Sequence, residues 1–98
     1  MNQNFAKTEE QIKNIIFRYL SPRKYQIFMF GSRVNGKATK YSDYDIGILG
    51  KNPLPSKTKV LIEESFEESN IPCKIDIVDF SLVSPCFRKV ALSKIKKI

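Results

Sequence analysis

Ninety-eight residues, 42% apolar and 28% charged with a net charge of +7, suit a chain with one hydrophobic core and an anionic partner. The longest apolar run, Ile27 to Phe30, is too short to cross a bilayer, and no charged-apolar-small leader opens the sequence, so a cytoplasmic protein is expected. The absence of histidine excludes Ser-His-Asp and Cys-His catalysis and any His-ligated metal, while Cys73 and Cys86 alone cannot build a zinc site and read as buried thiols.

Thr8 followed by Gln11 has the form of a capping box, and Ile12, Ile15, Ile16, Tyr19 and Leu20 follow at helical spacing, closed by Ser21-Pro22. Tyr25 to Phe30 is a compact apolar run that predicts a buried strand ending at Gly31, with its aromatic residues in the packing. The polar stretch Ser32 to Lys40 predicts a tight turn and a short helix. Tyr44 to Leu49 is a second strand. Ser56 caps a helix running to about Ser69, with Leu61, Ile62 and Phe66 inward and the Glu63 to Glu68 cluster facing solvent. Cys73 to Val78 is a third strand. After Pro85, the positions Phe87, Val90, Ala91 and Ile98 predict a closing basic amphipathic helix. Strands alternating with helices predict an α/β (α+β) fold with a small mixed sheet, its helices mainly on one face, in a single domain spanning 1–98.

The basic residues are unevenly placed. Six Lys or Arg and no acid lie between Arg18 and Lys40, and five more with no acid lie between Arg88 and Ile98. Either run fits an anionic partner or a merely solubilising surface.

The chemistry concentrates between Phe30 and Ile46. Gly31 stands where a strand stops, a place at which a side chain would block close backbone approach. Ser32 adds a hydroxyl and an amide that can face a phosphate at a helix start. Ten residues on comes Asp43-x-Asp45, and alternation along a strand sends both carboxylates to one face. Such a platform suits Mg²⁺, which takes few protein carboxylates and completes its shell with phosphate oxygens and water.

The spacing Gly-Ser-x₁₀-Asp-x-Asp resembles the nucleotidyltransferase superfamily related to DNA polymerase beta, and within it the minimal MNT members, the antitoxins of HEPN/MNT systems. The likeness extends over most of the chain. It implies a third carboxylate in a hydrophobic-Asp-hydrophobic strand, supplied by Asp76 in Ile75-Asp76-Ile77. Asp79, of opposite parity, is then a strand-end residue. Asn35 departs from the pattern, standing where many relatives carry a second basic residue. By this resemblance Gly31, Ser32 and Arg33 bind the nucleotide, and Asp43, Asp45 and Asp76 are the catalytic, metal-holding set. AMP would pass from ATP to an acceptor hydroxyl, with one or two Mg²⁺ ions assisting. The short stretch after Asp76 places the acceptor on another molecule, by resemblance a tyrosine of a HEPN-domain partner.

Three other readings compete. Gly31-x-x-x-x-Gly36-Lys37 approaches a P-loop, with Asp79 as its strand-end acid, but Ala38 stands where the metal-holding hydroxyl belongs. A binding-only antitoxin would not need Asp43, Asp45 and Asp76 together. A basic nucleic-acid-binding module would rest on the two charge runs alone.

Overall fold

The computed structural model describes residues 3–34, 36 and 43–98, with the side chains of 3–7 and of Ser32 outside the description. Its elements are α1 (Gln3–Ile16), β1 (Tyr25–Phe30), a 3-10 turn (Gly31–Arg33), β2 (Tyr44–Gly50), α2 (Ser56–Glu67), β3 (Ile75–Asp79), α3 (Pro85–Leu92) and β4 (Lys96–Lys97). The four strands form one mixed sheet in the order β3-β2-β1-β4. β1 runs antiparallel to both its neighbours, and β2 and β3 are parallel, joined through α2 as a parallel pair requires.

Alternation along the strands divides the core in two. On one face Ile27, Met29, Tyr44, Ile46, Ile48 and Ile77 pack against Ile12, Ile15 and Ile16 of α1 and Ile62 and Phe66 of α2. On the other, Phe28 and Phe30 of β1 meet Phe80 just after β3, with Ala91 and Leu92 of α3 against them. The Phe80 ring stands edge-on to Phe28 and Phe30, with centroids 4.9 and 5.1 Å away, a favoured aromatic geometry. Gly47 makes room for this cluster, because a Cβ there would lie 2.3 Å from the Phe28 ring and 2.7 Å from Phe80. Two helices thus cover one face and a third borders the other, as the sequence predicts.

Several boundaries differ from expectation. α1 begins five residues before Thr8, which lies within the helix rather than capping it. The helix ends at Ile16, and irregular turns carry Leu20 back into the core. Pro55 rather than Ser56 precedes α2, and Leu61 is exposed because the helix is narrow in contact, burying only Ile62 and Phe66. α3 stops at Leu92, capped at its start by the Ser84 hydroxyl, which accepts from Phe87 N–H at 3.2 Å. Ile98 does not continue it. The chain turns back into β4, and Ile98 N–H donates to the Ile27 carbonyl at 3.3 Å. Cys73 is half-buried and Cys86 exposed, so neither is the buried thiol expected. No helix among the described residues is long and apolar enough to cross a membrane.

Candidate active site

The sheet register brings the acidic residues together. In the parallel β2–β3 pair, Asp45 lies directly opposite Asp76, so both carboxylates leave adjacent strands on the same face. It is the face of Phe28, Phe30 and Phe80, since Phe30 is the antiparallel partner of Asp45 on the other side. Asp43 is exposed just before β2 and shares the parity of Asp45.

Gly31 packs against this site. Its φ is +82°, in the region glycine alone enters freely, and a Cβ there would meet the Asp45 Oδ2 at 2.3 Å. The turn that follows β1 therefore lies against the Asp45 carboxylate. Of Ser32, the backbone is in that turn; its side chain is outside the description. So are Asn35, Lys37, Ala38 and Lys40 altogether.

The electrostatics follow from the arrangement. Burial raises the Asp45 carboxyl above its ordinary value, and the charges of Asp76 and then Asp43 raise it further. Three acids that repel one another, two of them half-buried, form a site that a cation would relieve. Among the described residues no three acid, cysteine or histidine side chains are arranged to hold a metal ion by themselves, so a cation at Asp45 and Asp76 would take most of its shell from phosphate and water. Open oxygen donors of this kind fit Mg²⁺, whose shell is completed by water and phosphate rather than by protein.

Arg33 is not brought to the carboxylates. Its guanidinium lies over the Tyr44 ring, 3.9 Å from the centroid, and Nη2 donates to Cys73 Sγ at 3.5 Å. Tyr44 belongs to the α1–α2 face, so Arg33 reaches round the end of β2 and fastens the glycine turn to the core. Burial raises the Tyr44 hydroxyl above its ordinary value, and the Arg33 charge opposes that rise.

Asp79 is on the α1–α2 side and is 9% exposed. Its Oδ2 accepts from Leu54 N–H at 2.6 Å, and its Oδ1 accepts from Ser81 N–H at 2.9 Å and Ser81 Oγ–H at 2.6 Å. Burial alone would raise its pKa, but these hydrogen bonds and the Lys59 charge outweigh burial and hold it below the ordinary value. A carboxylate so engaged ties the Leu54 loop to the end of β3, on the face opposite Asp45 and Asp76, which is a structural role and not that of a P-loop's strand-end acid.

One charged residue of this face escapes the motif. Lys74 precedes Asp76 by two positions and shares its parity, and its Nζ lies 3.5 Å from Asp76 Oδ1. Away from the site, a polar groove of about 460 Å³ lies between α1 and α2, lined among others by Gln11, Asn14, Arg18, Ser65 and Glu68, on the layer opposite the carboxylates. In the C-terminal basic run, Lys96 pairs with Glu9 at 3.0 Å, joining the sheet edge to α1.

Comparison with known proteins agrees with this architecture. The family model described as Polymerase beta, Nucleotidyltransferase matches residues 10–98. A Haemophilus influenzae protein named "Probable protein adenylyltransferase MntA" is 40% identical over 85 residues, a stretch covering 86% of this chain and 74% of that protein. A crystal structure of a toxin-antitoxin with AMP-PNP superposes with a TM-score of 0.69 at 22% identity, over 90% of this chain and 70% of the other. A complex of tri-AMPylated Shewanella oneidensis HEPN toxin with MNT antitoxin gives a TM-score of 0.58 at 22% identity, over 90% and 69%. At these identities the two structures speak for the fold.

Proposed function

We propose that this chain, which belongs to the polymerase beta nucleotidyltransferase family, transfers AMP from ATP to a tyrosine hydroxyl of a HEPN-domain partner and so acts as an antitoxin. The observation that carries the reading is the register pairing of Asp45 with Asp76, with the Gly31 turn against Asp45. The 40% identity to a protein named as an adenylyltransferase supports the reaction type. The toxin complexes among the structural neighbours support the kind of acceptor.

In this reading the Gly31–Ser32 turn receives the β and γ phosphates, its backbone free of obstruction because Gly31 has no side chain. Arg33 contributes by anchoring that turn on Tyr44. Asp43, Asp45 and Asp76 would hold Mg²⁺, which when bound neutralises charge on the triphosphate and its leaving oxygens. The acceptor hydroxyl oxygen attacks the α-phosphorus in line, the bond from that phosphorus to the bridging oxygen of the β-phosphate breaks, and pyrophosphate departs. Asp76, whose side chain is half-exposed, would take the hydroxyl proton in this reading. The whole unit acts as one nucleotidyltransferase domain in the cytoplasm.

The test uses two labels. The protein and a HEPN partner are incubated with Mg²⁺ and ATP labelled at either the α or the γ phosphate. Label from the α position alone should enter the partner. Transfer from the γ position would replace this reading with a kinase-type one, and a stable complex without label would favour the binding-only antitoxin.

A further inference from the structure

The register that sets Asp45 against Asp76 also sets Tyr44 against Ile75, and one step earlier Tyr44 N–H donates to the Lys74 carbonyl at 2.9 Å. Lys74 therefore stands level with Asp43, and alternation sends its side chain to the carboxylate face. Asp43, Asp45, Lys74 and Asp76 make a four-cornered group at the starts of two adjacent strands. The ammonium lies 3.5 Å from Asp76 Oδ1, with side chains 70% and 40% exposed. An ion pair so exposed adds little to stability. Its chemical consequence is larger, because Nζ stands beside an oxygen that a divalent cation would need, and it brings the net charge of the group from minus three to minus two.

We propose that Lys74 is a resident counter-cation of the site, competing with the divalent ion for Asp76. Through this competition the nucleotide-free protein binds divalent cation weakly, and the ion enters with the triphosphate rather than ahead of it. When the ion arrives, the long flexible side chain swings off Asp76 and its charge turns towards the phosphates. Lys74 acts through Asp76 and is a positioning residue. The inference rests on the metal-dependent reading above and adds a role for a side chain outside the Gly-Ser and Asp-x-Asp motif.

The experiment titrates Mn²⁺ into the nucleotide-free full chain and follows free Mn²⁺ by electron paramagnetic resonance. Lys74→Gln should bind Mn²⁺ about three- to tenfold more tightly than the wild type, the size expected for removing one exposed charge acting through near-bulk water. Lys74→Arg should match the wild type, and Asp76→Asn should abolish the gain from Lys74→Gln. Melting temperatures of the Lys74 variants should be nearly unchanged. Equal or weaker Mn²⁺ binding by Lys74→Gln, with the wild type binding measurably, would overturn the role of Lys74 and leave the metal-dependent reading intact. Failure of the wild type to bind Mn²⁺ even with AMP-PNP present would overturn both.

Discussion

Replacing Asp45 with asparagine should destroy transfer and make the protein more stable. The carboxylate is half-buried, and its neighbour Asp76 leaves the adjacent strand directly opposite it. Adjacent strands are about 4.8 Å apart. Two like charges at about 5 Å repel by roughly 0.8 kcal/mol in water and roughly 3 kcal/mol at an effective dielectric of 20. Because Asp76 and Asp43 are partly or fully exposed, the weaker end applies, so Asp45→Asn should gain about 1 kcal/mol. For a domain of this size that is a rise of roughly 4–8 °C in melting temperature. The assay is thermal unfolding of wild type and variant in EDTA across pH. The folded-state pKa of Asp45 is raised, so its destabilising effect is complete above that pKa and disappears as pH falls towards the ordinary value of 3.8. The advantage of the variant should therefore be largest near neutrality and vanish near that acid limit. Mg²⁺ added together with AMP-PNP should raise the wild-type melting temperature more than that of Asp45→Asn. A variant no more stable than wild type at any pH would refute the idea that the site holds its charges under repulsion.

Other substitutions separate catalysis from scaffolding. Gly31→Ala forces a side chain into a positive-φ position against the Asp45 carboxylate, and should cost about 1–3 kcal/mol in chemical denaturation together with most of the activity. Asp79→Asn turns one of three accepting contacts against the donor that it serves, and should cost about 1–3 kcal/mol, with transfer by the protein that remains folded largely retained. The lowered pKa of Asp79 means its stabilisation is present above the ordinary carboxylate value and lost as pH falls through the folded value, so wild type and Asp79→Asn should converge in acid when unfolding is followed against pH.

The sequence patterns carried the site further than they carried the edges of the fold. Asp43-x-Asp45 and Ile75-Asp76-Ile77 are short alternating strands, and period-two alternation is enough to place acids on one face once the strands pair. The role of Asp79 was legible for the same reason, since its parity opposes that of Asp76. Arg33 was not legible. A basic residue next to a phosphate-binding turn looks like a phosphate ligand, and only tertiary packing reveals Tyr44 beneath its guanidinium. The C-terminus misled because Ala91 and Ile98 share a helical spacing across a break that no proline or glycine marks. Pairing with β1 wins there, as the Ile98 N–H finds the Ile27 carbonyl. Lys74 was visible as a parity match to Asp76, but a lysine beside an acid on a strand is ordinarily a solvated pair.

The most direct measurement is peptide mass spectrometry of a HEPN partner co-expressed with wild type or with the Asp43→Asn/Asp45→Asn variant. The wild type should leave AMP on a partner tyrosine, and the variant should leave that tyrosine bare while still forming the complex. Unmodified partner with the wild type, or equal modification with the variant, would contradict the assignment of these aspartates to nucleotidyl transfer.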